Sequence, residues 1–241
     1  MVTPSAASTG DVRPHSRNRV LAALPEAELK MLLPSLAEVR LHRHDILADD
    51  GADYRYVYFP HDCLISHVIA MQDGNLIETI LLGREGCAGF GMNTRSHARD
   101  VVTVEGVASR IELHTLVTAM AELSGVNRIM QAYLGGLLAR VVRTAACGAL
   151  HSLESRAARW LLAAQDATRQ DAFHLTQERF AELLGVRRAS VNQVSRRFQQ
   201  ERAIQYSRGA IRIVSRTGLE RLTCECYRVL QSATDNVFAT H

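Results

Sequence analysis

The spacing of apolar residues changes along the chain and divides it into three regions. Leucine and valine recur at helical intervals over residues 20–40, with Pro25 and Pro34 as breaks, which predicts one or two short helices. Residues 40–113 instead hold short apolar runs between turn residues, which indicates an antiparallel sandwich or barrel. These runs are Tyr54–Pro60, Cys63–Ala70, Leu76–Leu82, Val101–Val104 and Ala108–Leu113. We expect a β-rich domain over residues 20–115, preceded by a flexible tail over residues 1–19.

A long helix is predicted from about Leu116 to Leu150. Its apolar residues recur at steps of four and three, a heptad-like pattern suited to pairing with a second helix. The same pattern also suits a helix that packs on its own domain, and the spacing does not separate the two interpretations. We assign residues 116–150 as a dimerisation helix, with contact residues Met130, Leu134, Leu137 and Val141, following Val126 in the series.

The last region, residues 151–241, is predicted to be mostly helical with one hairpin. An amphipathic helix is expected at Leu153–Ala167, and a two-stranded wing at Ile204–Ser207 and Ala210–Val214. A final helix is expected from Arg216 to about Val237.

Between the first helix and the wing lies a two-helix corner. Thr176 is a good N-cap for the first helix, and Gly185 can adopt the left-handed conformation of the tight turn that ends it. Phe180 and Leu184 form the inner stripe of this helix. The inner face of the second helix is formed by Val191, Val194 and Phe198. This full set of features at these offsets is a specific signal for a helix-turn-helix.

The polar side of the second helix carries groups that bind nucleic acid. Arginine can bond guanine in a bidentate manner, asparagine and glutamine can do the same with adenine, and serine can bond a phosphate. The residues assigned to DNA contact are Thr176, Arg187, Arg188, Ala189, Ser190, Asn192, Gln193, Arg196, Arg197 and Arg208. Charge agrees with this surface, since residues 151–241 hold fourteen arginines against nine acidic residues.

Composition excludes several other classes. With 47% hydrophobic and 22% charged residues the chain is globular, and its most apolar stretch, 129–150, is broken by Arg140 and Arg143, so no membrane span is expected. Five scattered cysteines do not resemble a secreted disulfide framework and fit the reducing cytoplasm. The sequence shows no nucleophile–base signature, no phosphate loop and no paired carboxylates with a plausible pocket, so we do not expect an enzyme.

No cofactor or metal site is assigned from the sequence. Cys224 and Cys226 fall in the predicted final helix, where positions i and i+2 point to different faces and make a poor joint site. His61, Cys63 and His67 could be imagined as haem ligands, but packing in the core is the favoured interpretation.

The region from Leu153 to Val214 resembles the winged helix-turn-helix of the Crp/Fnr family of bacterial transcription regulators. The resemblance is carried by Arg156, Trp160 and Leu161, by the Leu175–Phe198 motif, and by the wing from Ile204 to Ile211. The order of regions before it is also that of the family. The resemblance implies an α+β protein with an N-terminal antiparallel β-roll or jelly-roll domain of the cyclic-nucleotide-binding type, a long dimerisation helix and a C-terminal winged helix-turn-helix. It implies a homodimer on a palindromic double-stranded DNA site, with RNA polymerase as a further partner.

By the family's pattern, the base-reading positions are Arg188, Ala189, Asn192 and Gln193. Many members have a glutamate in place of Ala189, so the target sequence need not follow the family's best-known operators. The cyclic-nucleotide signature is also altered, because Phe90 stands roughly where a glutamate is expected and Asp100 follows Arg99. The effector is therefore unknown. An alternative is a regulator of the same fold that binds DNA only with a small-molecule effector.

Overall fold

The computed structural model describes residues 14–91 and 95–239. Residues 1–13 of the predicted tail lie outside this part of the chain. The remainder of that stretch is not a tail, because a 3-10 turn at His15–Arg17 leads into helix α1, Arg19–Ala22. Asn18 is fully buried, and its side-chain oxygen accepts from the backbone N–H of Val20 at 2.9 Å. Helix α2 follows at Glu26–Leu32.

In the described part of the N-terminal region, seven strands form two antiparallel sheets, which confirms the expected β-rich domain. One sheet has the order β1-β7-β3, and the other has the order β2-β6-β4-β5. Apolar side chains such as Val39, Ile65 and Val102 lie between them and are fully buried. The strands are β1 Ala37–Leu41, β2 Ile46–Ala48, β3 Tyr56–Pro60, β4 Leu64–Ala70, β5 Leu76–Leu82, β6 Arg99–Val104 and β7 Gly106–Glu112. The first two were not predicted.

The expected single helix over residues 116–150 is two helices, α3 at Leu113–Glu122 and α4 at Ser124–Leu150. The Glu28 carboxylate caps the start of α4 by accepting from the backbone N–H of Gly125 at 3.1 Å and of Val126 at 2.7 Å. Further along, the Tyr133 hydroxyl donates to the Cys87 carbonyl at 2.8 Å. The first half of α4 is therefore fixed to the β-domain.

These contacts correct the assignment of the helix face that meets a second chain. Met130 is 1% exposed and lies in the core of its own chain with Val126. Leu137 also packs against the two clusters that form the core of the β-domain. Both residues therefore follow the alternative in which the helix packs on its own domain. Leu134 and Val141 are half-buried.

The C-terminal region is built around helix α5, Leu153–Thr168. Its remaining elements are β8 Ala172–His174, α6 Gln177–Leu184, α7 Arg188–Gln200, β9 Ile204–Ser207, β10 Ala210–Ile213, α8 Arg216–Leu222 and α9 Cys226–Ala239. The wing has three strands in the order β8-β10-β9, one more than predicted. The predicted final helix is interrupted at residues 223–225, so Cys224 lies outside a helix and only Cys226 is in α9.

The two domains share a hydrophobic core. Leu64 and Val68 of β4 belong to the same buried cluster as Trp160 and Leu161 of α5. At this boundary the Trp160 indole N–H donates to the Glu78 carboxylate at 2.8 Å, and burial raises the pKa of Glu78. Among the described residues, no helix has the length and apolar character to cross a membrane.

Candidate nucleic-acid interface

The turn between α6 and α7 is set by local sequence. The Thr176 hydroxyl accepts from the backbone N–H of Arg179 at 3.1 Å and caps α6, as predicted. Gly185 ends the helix with φ of 64°, and Val186 N–H bonds back to the Ala181 carbonyl at 3.0 Å. A Cβ at position 185 would meet the Ile77 side chain of β5 at 3.0 Å. Glycine is therefore favoured by the left-handed backbone, and a side chain here would in addition push against the end of Ile77.

An apolar face holds the two helices at a fixed angle. Phe180, Val191 and Phe198 are each 1% exposed, as expected for the predicted inner stripe. The Phe180 ring lies 5.3 Å from the Trp160 ring of α5, measured between centroids. This packing supports α7 from beneath and directs its polar side to solvent.

The outer face of α7 carries the predicted contact residues. Asn192 and Ser190 are half-buried, and the others on this helix are exposed. A shallow depression on this face is lined in part by Ala189, Asn192, Gln193 and Arg196. The exposed set at the helix and its N-terminal cap is Arg187, Arg188, Ala189, Gln193, Arg196 and Arg197.

The arginines of this face differ in their partners. Arg197 donates to Glu154 of α5 at 2.6 Å and lies 3.4 Å from Glu201. Within the part of the chain that the structure describes, Arg187, Arg188 and Arg196 have no acidic side chain at ion-pair distance. These three guanidinium groups therefore remain available to an anion, whereas Arg197 would have to compete with its own carboxylates.

The wing places a further cation beside the start of α6. Arg208 and Gly209 form its tip with φ of 49° and 77°, the conformation of a tight hairpin turn. The Gly209 carbonyl accepts from Leu175 N–H at 2.8 Å, which fixes the tip next to Thr176. Arg208 is exposed there. Burial raises the pKa of Tyr206 in the wing to about 12, and the nearby Arg188 acts in the opposite direction.

Two residues of α5 contribute to this surface and were not predicted to do so. The Arg156 guanidinium donates to the Leu184 carbonyl at 2.5 Å and so satisfies the end of α6. Glu154 binds Arg197. Both contacts join residues that are far apart in sequence, and no local spacing could have indicated them.

The sensor-side candidates have structural partners. Cys63 is fully buried, and His61 bonds the Ser109 hydroxyl at 2.8 Å; burial lowers the pKa of His61 to about 3. His67 bonds the buried Asp100 carboxylate at 2.5 Å. The three residues named as possible haem ligands are therefore buried or hydrogen-bonded within the fold. These contacts also show Asp100 turned into the protein.

Comparisons with known proteins identify the domain and the fold. Residues 155–222 match the Crp-like helix-turn-helix domain family. The structure is similar to FixK2 from Bradyrhizobium japonicum, with a TM-score of 0.67 at 14% identity over 78% of this chain and 98% of that chain. It is also similar to a putative transcriptional regulator of the Crp/Fnr family from Eubacterium rectale, with a TM-score of 0.65 at 18% identity over 86% and 98%.

A third similar structure is the c-di-GMP responsive global regulator CLP from Xanthomonas campestris. Its TM-score is 0.60 at 13% identity, over 79% of this chain and 100% of that chain. No curated protein sequence matches this chain. At these identities the structural likeness establishes the fold, and the domain match establishes the helix-turn-helix.

Proposed function

We propose that this chain, which carries a Crp-like helix-turn-helix on the fold of Crp/Fnr regulators, is a transcription regulator that binds a palindromic DNA site as a homodimer. In this proposal it acts in the cytoplasm, with double-stranded DNA, a second copy of itself and RNA polymerase as partners. Several proteins of known structure that share the fold are described as transcriptional regulators, and in this proposal the chain is likewise a regulator and not an enzyme.

The observation that carries the proposal is the outer face of α7. This face combines free guanidinium groups at Arg187, Arg188 and Arg196 with the amides of Asn192 and Gln193. An α-helix fits the major groove, where guanine accepts from arginine and adenine bonds to asparagine or glutamine. We expect the exposed wing cation Arg208 to contact the adjacent phosphates. Base contacts and backbone contacts thus come from two neighbouring elements.

The homodimer is supported by an unpartnered stripe on α4. Leu138 is 65% exposed and Val142 is 62% exposed, although both are large and apolar. They belong to a series of exposed positions at steps of three and four, which is the spacing of residues between two paired helices. We propose that this face packs against α4 of a second copy of the chain. The series is Gln131, Gly135, Leu138, Val142, Ala145 and Ala149. Its small residues permit close approach of the two helices.

The alternative, an effector-gated regulator of the same fold, has one supporting observation. The contact of Trp160 with the buried Glu78, at 2.8 Å, joins the DNA-binding domain to the β-domain, so a ligand that moved the sheet would move the interface. Gel shifts of purified protein on its selected site separate the two. Tight specific binding without added ligand favours the first, and binding that requires a cell extract favours the second.

Replacing Arg188 with alanine is expected to weaken binding to the selected site by about 1–3 kcal/mol and to relax base choice at one position of each half-site. Arg188 is exposed at the head of α7, so its loss should not change folding. Selection of bound sequences from random DNA, followed by fluorescence anisotropy, measures both effects. An unaltered preference with unaltered affinity would show that Arg188 does not read a base.

Arg208→Ala is the matched comparison at the wing. It should weaken binding to all duplexes similarly and reduce the slope of log K against log salt by about one. Arg40→Ala removes the same charge from an exposed position on β1 and serves as the control. If Arg40→Ala had the same effect as Arg208→Ala, only net charge would be at work.

A further inference from the structure

Four metal-binding side chains meet where the long helix α4 joins the DNA-binding domain. Cys147 and His151 are one turn apart at the end of α4, Cys224 lies in the break between α8 and α9, and Cys226 begins α9. Their ligand atoms all lie within 4.8 Å of one another. Cys147 and Cys226 are buried, and the other two are half-buried. The interruption of the predicted final helix is what brings both cysteines of the Cys-x-Cys pair to one point.

Two distances in this cluster are close to those between the ligands of a tetrahedral metal ion. The Cys147 and Cys224 sulfurs are 3.6 Å apart, and the Cys226 sulfur is 3.6 Å from His151 Nδ1. A tetrahedral zinc with its usual bond lengths places two sulfurs about 3.8 Å apart and a sulfur and a nitrogen about 3.6 Å apart. An iron–sulfur cluster needs its ligands spread around several irons, and these four atoms are too close together for that.

The surroundings supply the outer contacts that a metal-binding histidine needs. His151 Nε2 lies 3.2 Å from the Glu225 carboxylate, which leaves Nδ1 directed at the cysteines. A carboxylate on the second ring nitrogen fixes the orientation of the ring and raises its basicity as a ligand. Glu225 is the residue between the two cysteines, so the same short break provides two ligands and this contact.

Positive charge also lies next to the cluster. The guanidinium of Arg159 is close enough to Cys147 to lower the pKa of its thiol, against the larger effect of burial, which raises it. Arg159 Nε is buried and has no hydrogen-bond partner among the described residues. A zinc ion with three thiolates carries a net charge of about −1, which a neighbouring guanidinium would offset.

We propose that Cys147, His151, Cys224 and Cys226 bind one Zn²⁺ in a closed site that joins α4 to the α8–α9 break. With four protein ligands there is no open position, so the ion is structural and not catalytic. It fixes the end of the dimerisation helix against the DNA-binding domain. Among divalent metals, tetrahedral thiolate and imidazole ligands favour zinc.

Metal analysis of the full chain, expressed without a polyhistidine tag, tests the site directly. We expect about one zinc per chain. Cys224→Ser should lose its zinc to a chelator concentration that leaves the parent loaded; the half-buried position 224 is chosen because serine is tolerated there more easily than at buried Cys147. Cys87→Ser, a buried cysteine of the β-domain, is the matched control and should retain the metal.

A second variant tests the site without removing a ligand. Glu225→Gln should weaken zinc affinity by about 10–100-fold while leaving the helical content unchanged, because Glu225 is largely exposed and acts only through His151. Cobalt added to the reduced, metal-free parent should give the intense visible absorption of tetrahedral thiolate coordination.

Three results would overturn the proposal. The first is a reduced parent protein that holds no zinc and gives no such cobalt spectrum. The second is a Cys147–Cys224 disulfide in the protein as isolated under reducing conditions. The third is iron with acid-labile sulfide in place of zinc. All of these readouts are independent of DNA binding, so the failure of the zinc site and the failure of the proposed function are distinguishable.

Discussion

Leu138→Asp is expected to convert the protein to monomers and to weaken its binding to a two-half-site duplex by about 100-fold or more. Two aspartates would face each other in the middle of the proposed interface between the two α4 helices, where an unpaired charge cannot be hydrated. Each DNA-binding domain would then have to bind its half-site alone. Light scattering measures the oligomeric state, and anisotropy on one-half-site and two-half-site duplexes measures the loss of joint binding.

Two variants make this result specific. Val117→Asp places the same charge on an exposed apolar position of α3, 51% exposed, and should leave the dimer intact. Leu137→Asp, one residue away, should instead destabilise the monomer, because the half-buried Leu137 packs against the core of its own chain. A Leu138→Asp protein that remains dimeric would show that the exposed stripe of α4 is not the dimer interface.

Phe198→Ala is expected to lower the free energy of unfolding of the DNA-binding domain by about 3–5 kcal/mol. The ring is 1% exposed and belongs to the core that supports α7. Its loss leaves a cavity beneath the helix that presents Arg188 and Gln193, so specific binding should fall together with stability. Urea denaturation followed by circular dichroism gives the change in free energy.

Arg196→Ala on the same helix is the matched control. Because Arg196 is exposed and has no ion-pair partner among the described residues, stability should change by no more than about 0.5 kcal/mol while DNA affinity decreases. The two variants thus separate support of the helix from contact with DNA. Equal loss of stability in both would contradict the assignment of inner and outer faces.

The helix-turn-helix could be predicted from sequence because its determinants are local. The cap at Thr176, the left-handed Gly185 and the apolar spacing from Phe180 to Phe198 lie within 23 residues. Strands β1 and β2 were missed because their own local signal is weak. Each has five residues or fewer, and β1 follows a leucine-rich helical stretch that dominates the local pattern.

The face of α4 could not be predicted because two heptad series overlap. Met130 and Leu137 form one, and Leu138 and Val142 form the other, shifted by one residue. Both have the period of a helix pair, so only the surface that the helix covers decides which faces inward. Here the β-domain covers the first series. The cysteine cluster was missed similarly, since its two halves are more than seventy residues apart, as the Cys147–Cys224 pair shows.

Glu154 has a consequence for how tightly the protein holds DNA of arbitrary sequence. Its carboxylate lies in the depression on the outer face of α7 and is bonded to Arg197, while its second oxygen is buried without a hydrogen-bond partner in the described chain. A DNA phosphate that binds Arg197 must displace the Glu154 carboxylate from it. We expect such a negative charge to lower the general attraction to duplexes, so that residence depends more on matched base edges. The protein would then dissociate faster from DNA that lacks its target sequence.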